Sequence, residues 1–165
     1  MTHRTAVVLF NLGGPDSLAA VRPFLYNLFS DPDIFRFPLG ALTQKFFAWL
    51  IATRRTPEAT KGYAALGGKS PLLENTQRQA RALAQALALD GAFEIFVCMR
   101  YWHPRAAEVV AELKRKGFEH VILLPLYPQY SLTTSGSSYN EFQRECARAS
   151  YRPQIAFIRQ WFEQP

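Results

Sequence analysis

His120-Val121-Ile122-Leu123-Leu124-Pro125-Leu126 is the stretch on which the fold turns. Every side chain after the histidine is apolar. A half-solvated strand alternates apolar and polar residues, and a surface helix shows a polar position every third or fourth residue. An unbroken run this long does neither and reads as a strand covered on both faces. Similar near-continuous runs stand at residues 6–10, 93–98 and 154–158, each of strand length.

The intervening segments carry helical period. Residues 16–30 offer Asp16 or Ser17 as a cap and place Val21, Leu25, Leu28 and Phe29 on one face. Residues 72–89 set Leu83 and Leu87 at helical spacing, and residues 104–116 start at a proline and stop at Gly117, where a left-handed cap fits. A last helix spans 139–149 behind a Ser/Thr/Gly loop. The order predicts an α/β fold, an open doubly wound parallel sheet of about four strands, filling residues 1–165 as one domain. Ligands of such sheets sit beyond the carboxyl ends of the strands, so the loops 11–15, 100–104 and 125–136 are the ones to read for chemistry.

Residues 34–51, IFRFPLGALTQKFFAWLI, resist simple placement. Pro38 and Gly40 break the segment early, and residues 41–52 read as a helix with Leu42, Lys45, Phe46, Trp49 and Leu50 near one stripe. It is either a helix packed on the sheet or an exposed aromatic lip that admits a flat apolar ligand or touches a membrane surface.

Composition narrows the class. A hydrophobic fraction of 48% and a charged fraction of 19% suit a soluble globular domain, and no run approaches the roughly 20 apolar residues that span a bilayer. The N-terminal apolar run ends at Asn11 without a small-residue cleavage site, so it reads as a first strand rather than a signal peptide. Cys98 and Cys146 stand far apart and form neither a disulfide framework nor a zinc motif, which fits a reducing cytoplasm. The charge of +6 draws anions but does not choose among them.

Several familiar motifs fail. Gly13-Gly14-Pro15 lacks the spacing of a dinucleotide loop, and Gly67-Gly68-Lys69-Ser70 has Tyr63 where a phosphate loop needs its first glycine. What remains is Arg100-Tyr101-Trp102-His103-Pro104, where Arg100 and Tyr101 are stronger candidates than a histidine beside a proline. Residues 126–138 add two tyrosines and more hydroxyls than capping alone uses. His3 stands near the terminus and His120 opens a strand, so neither reads as a catalytic site with a carboxylate. Read unaided, the chain shows a binding pocket without a reaction.

Four blocks at these same loops resemble the ferrochelatase family: VVLFNLGGPDSLAAVRPFLYNLFSDPDIF (7–35), RRTPEATKGYAALGGKSPLLENTQRQA (54–80), MRYWHP (99–104) and LPLYPQYSLTTSGSSYNEF (124–142). The resemblance implies the first of two Rossmann-like lobes that clasp a porphyrin and insert ferrous iron into it, the last step of haem synthesis. It implies that Leu12 forms a wall against one porphyrin face and that Arg55, Tyr63 and Ser70 meet the propionates. Arg100 and Tyr101 then line the metal-entry side as the catalytic pair, and Tyr127, Ser131 and Thr133 line the inner cleft. The substrates are porphyrin and ferrous iron, with no metal ligands in this chain. Leu132 stands where some members carry a cluster cysteine, so no iron-sulfur cluster is expected.

The family's proton acceptor, a histidine in a Ser-Ala-His-type motif with a glutamate partner, is implied to lie beyond Pro165, on a C-terminal lobe that is the chain's expected partner. The isolated 165 residues are then expected to be inactive. No nucleic-acid partner is expected, and residues 34–51 become the lip over the cleft, a peripheral contact with the inner face of the membrane. Protoporphyrin and coproporphyrin both stay open, Leu12 in place of a tyrosine leaning toward the former. Two other readings stand beside this one. One is a non-catalytic, tetrapyrrole-binding single-lobe protein. The other is a small cobalt-type chelatase acting as a dimer, for which His103 and His120 do not look arranged.

Overall fold

In the computed structural model, which describes residues 4–35 and 40–162, four parallel strands form one sheet. They are β1 (Thr5–Asn11), β2 (Phe93–Met99), β3 (His120–Pro125) and β4 (Gln154–Phe157), in the spatial order β2-β1-β3-β4. The α/β class, the four strands and their parallel sense are as the apolar runs predicted. β1 lies in the middle, its residues 6–10 buried at every position because helices cover both faces.

The helices depart further from expectation. A short 3-10 turn, Leu18–Ala20, precedes α1 (Val21–Phe29), so the expected helix starts five residues late, and Ser17 caps nothing with its side chain. α3 (Leu72–Ala86) packs on β2 and β1 from one face, and α4 (Ala106–Lys116) and α5 (Ser137–Arg148) cover the other. Ala6, Val8 and Phe10 point into that second layer, where Leu113 and Leu123 are fully buried. Each such leucine contributes about 1.5–3 kcal/mol of burial energy. α4 has the ends the sequence promised. Glu108 accepts from the Arg105 amide at 2.7 Å, three lysine and arginine side chains fill the last turn, and Gly117 closes it at φ 72°.

α2 (Ala41–Ala65) is the main surprise, since it runs 25 residues through Pro57. Thr53, whose carbonyl loses its usual partner there, is exposed, so water replaces the bond at low cost. Its packing face is also not the expected stripe. Ala48 and Ala52 are buried against α1, while Phe46 and Trp49 stay 57% and 47% exposed. Small residues bring the two helices together and leave the large rings outside, so the segment is partly packed helix and partly lip. Residues 36–39 and the side chains of Ala41 and Leu42 lie outside the described residues, as do His3 and residues 163–165.

Candidate functional site

The strand order reverses between β1 and β3, and the loops after β1, β2 and β3 gather at that switch point. Backbone bonds knit them. The amides of Arg100 and Tyr101 donate to the carbonyls of Asn11 and Leu12 at 2.9 and 3.0 Å. The Leu126 amide donates to Phe10, and the Ser70 amide to Pro15 at 2.8 Å. Gly13 makes the crossing feasible: it sits at φ 84°, and a Cβ there would lie 3.1 Å from both Met99 and the Trp102 amide nitrogen.

Below this crevice sits a sealed polar knot that the sequence did not advertise. Asp31 and Arg100 pair at 2.8 Å with side chains 0% and 7% exposed. The same oxygen, Asp31 Oδ2, accepts from the Tyr101 hydroxyl at 2.6 Å and from the Ser137 hydroxyl. Arg100 Nε donates to Ser137 Oγ at 2.6 Å, and the guanidinium lies over the Tyr101 ring at 4.9 Å. Asp31 Oδ1 takes the Asp33 amide at 2.9 Å. Asp31 and Ser137 are thus site residues that sequence reasoning missed. Their partners lie 70 and 106 positions away, and an Asp before Pro32 reads locally as nothing more than a turn.

Burial pushes the Asp31 carboxyl up, but the Ser137 and Tyr101 hydrogen bonds, the Arg100 charge and the Asp33 amide outweigh it and hold it below its ordinary value. Burial, then the bond to Asp31, push the Tyr101 phenol well above its ordinary value, so its hydroxyl keeps its proton. The sign for stability follows. A depressed carboxyl stabilises the fold at any pH above its unfolded value of about 4, and that contribution is lost as pH falls through the lower, folded value. In acid thermal melts, wild type is therefore expected to lose stability below about pH 4 more steeply than Asp31→Asn. Equal slopes would show that the carboxylate is not held ionised by its neighbours.

The other expected site residues divide. Leu12 and Tyr63 pack with Trp102 against Tyr101 in one apolar cluster built on α1 and α2, which makes a hydrophobic wall. Burial raises the Tyr63 phenol. Ser70 lies against Gly14 at the same loop. Arg55 stands two turns before Tyr63 on α2, about 12 Å back along the axis. It is exposed, with only a loose 3.7 Å pairing to Glu58. Ser131 and Thr133 bond each other at 3.0 Å, and Ser131 caps a π-helical turn (Leu132–Gly136) that leads into α5. Tyr127 differs: its hydroxyl is buried without a partner among the described residues, as are those of Ser135 and Ser138. His103 holds Glu108 at 2.7 Å, the same carboxylate that caps α4. Among the described residues no three His, Cys, Asp or Glu side chains converge to hold a metal.

Parallel strands that deliver their loops to one end of the sheet, where an apolar cluster lies beside a buried arginine–aspartate pair, define a chelatase-like α/β lobe. The family model for Ferrochelatase matches residues 4–165. Ferrochelatase of Gloeobacter violaceus is 49% identical over 162 residues, covering 96% of this chain and 49% of that protein. The Ferrochelatase of Aquifex aeolicus is 52% identical over 141 residues, covering 86% of this chain and 44% of its own. That of Geotalea daltonii is 47% identical over 166 residues, covering 100% of this chain and 51% of its own. The chain belongs to the ferrochelatase family. It spans about half the length of the curated relatives it matches.

Proposed function

We propose that this chain is the gripping lobe of an enzyme that inserts ferrous iron into a porphyrin, with a second lobe supplying the proton acceptor. The observation that carries the reading is the knitting of loops 11–15, 70 and 100–101 by direct backbone bonds at one crevice, although they are far apart in sequence. A flat, mostly apolar ring with carboxylate arms suits that place. Leu12, Tyr63 and Trp102 offer it a hydrophobic wall. Arg55 and the hydroxyls of Tyr63 and Ser70 suit the carboxylates, where charge-assisted bonds are the strong ones.

Insertion requires two pyrrole protons to leave and the metal to shed water. A ring held bent in a water-poor cleft meets both demands sooner, the distortion being driven by binding energy from its edges. Arg100 does not take the protons, since a guanidinium is already protonated at any working pH. Its place is on the side from which iron, the second substrate, arrives, with Tyr127, Ser131 and Thr133 along the inner cleft. Iron is cargo here, and no iron-sulfur cluster is assigned at Leu132. A cytoplasmic enzyme touching the membrane peripherally fits the lip. Phe46 and Trp49 stack at 6.4 Å in solvent and Arg22 lies over Trp49 at 6.0 Å, an aromatic and cationic surface suited to anionic headgroups. Among the described residues no helix is long and apolar enough to cross a membrane.

The test is a porphyrin titration followed by absorbance, with iron insertion assayed alongside. The 165-residue chain is expected to bind porphyrin weakly and insert no iron, since half a cleft buries half a ligand. Arg55→Ala and Tyr63→Phe are expected to weaken binding by roughly 5–30-fold, the equivalent of one lost charge-assisted bond. Wild-type affinity in both variants, or full-rate insertion by the 165 residues alone, overturns the proposal.

A further inference from the structure

Tyr101 is 0% exposed, its hydroxyl proton is committed to Asp31, and its ring lies beneath the Arg100 guanidinium. A side chain so enclosed does not hand a proton to a ligand. It braces. Arg100 is braced further by Ser137 on Nε and by Asp31 on Nη2, whereas Nη1 makes no bond among the described residues. The guanidinium is therefore fixed on two of its three corners. The fixing atom is shared, since Asp31 Oδ2 takes Arg100, Tyr101 and Ser137 together.

We infer that Asp31 is the positioning residue of the metal-entry side: it aims Arg100 through one shared oxygen and cancels its charge, so that a divalent cation can pass close by. The inference rests on the proposed function, which places iron on the Arg100 side. The cancellation matters because a lone guanidinium in a poorly solvated site repels a dication, and at a few ångströms such repulsion is much stronger than in water. Asp31 also roots the lip. Its carbonyl accepts the Ile34 and Phe35 amides at 3.2 and 2.9 Å, and its Oδ1 holds the Asp33 amide. The residue that sets Arg100 is thus the first residue of the segment leading to α2, and Asp33 continues the tether to Asn140 at 3.2 Å on α5.

The experiment uses the complete two-lobe protein to which the proposed function assigns this chain. Ferrous iron and protoporphyrin are varied separately, for wild type, Asp31→Asn and Ser137→Ala, each with a melting curve. Asp31→Asn is expected to lower kcat/KM for iron roughly 10- to 100-fold, the range usual when the bonding support of a site residue is removed. The porphyrin Kd should stay at its wild-type value. Added salt should recover part of the loss in Asp31→Asn but not in wild type, because the exposed repulsion is then screened. A merely structural role would move both substrates together and show no salt recovery.

Ser137→Ala keeps the charge and removes one brace, so a smaller loss in the iron constant without salt recovery is expected. If Asp31→Asn does not fold, Ser137→Ala decides, and unchanged iron kinetics there overturn the inference. Unchanged iron kinetics in a folded Asp31→Asn, or equal losses for iron and porphyrin, also overturn it. A wild-type protein that inserts no iron overturns the functional reading itself, which separates the two failures.

Discussion

Arg100→Met is expected to lower folding stability by about 3–5 kcal/mol, because it leaves the Asp31 carboxylate buried without its countercharge. With Asp31 fully enclosed, water cannot take the place of the guanidinium, and the Tyr101 and Ser137 hydroxyls supply dipoles but no charge. For a domain of this size the loss corresponds to a melting point lower by roughly 6–20 °C. The pair should also be strongly coupled. Asp31→Asn removes the stranded charge, so the double variant with Arg100→Met should fall short of the summed single losses by about 0.5–3 kcal/mol. Strict additivity in the cycle would mean that the two side chains do not depend on each other. The measurement is equilibrium unfolding in urea for the four proteins, at a pH near 7 where Asp31 is ionised.

That buried pair also marks where reading the sequence stops. Strands β1, β2 and β3 were legible because their runs are almost wholly apolar and of strand length, although only β1, at the centre of the sheet, is buried at every interior position, while β3 alternates half-buried and buried residues. β4 was found despite lying at the sheet edge, where alternate residues are exposed. Gly117 ended α4 as expected because a left-handed residue is a local requirement. α2 runs past the expected end at Ala52 and on through Pro57, where the exposure of Thr53 makes the lost bond cheap. Its stripe was misread too. Hydrophobic periodicity assumes that large apolar side chains face the core, whereas here Ala48 and Ala52 do and the rings do not.

At the site, Leu12, Tyr63, Arg100 and Tyr101 were named from motif and loop position, and the structure gathers Leu12, Tyr63 and Tyr101 in one cluster. It leaves Arg55 exposed on α2. Asp31 and Ser137 escaped because nothing in a linear pattern says that a turn residue after α1 will meet a residue at the start of α5.

Gly14→Ala should be the most damaging small change in the crevice, and steric contact rather than backbone conformation is the reason. An added Cβ would come within 2.5 Å of Ser70 Cβ and closer still to its Oγ. Ser70 has little room to retreat. Its amide is bonded to Pro15 at 2.8 Å, its hydroxyl accepts the Leu72 amide at 3.3 Å, and α3 begins there. The strain therefore passes to α3, which is also tied to β1 through Asn11 and the buried Thr76 at 3.0 Å.

A cost of about 1–3 kcal/mol is expected for this overpacking, with weaker porphyrin binding because Ser70 is displaced. Gly62→Ala is the informative control. It lies inside α2 with nothing within 4 Å of the added methyl, so the same substitution should there stabilise by about 0.5–1 kcal/mol. Ser70→Gly should relieve the clash, so Gly14→Ala combined with it should recover much of the stability lost by Gly14→Ala alone, yet not the porphyrin affinity, since the hydroxyl is gone. Thermal melts and the absorbance titration on the three proteins separate those two effects. A Gly14→Ala protein with wild-type stability would mean that the loops after β1 and α2 do not meet as closely as this geometry requires.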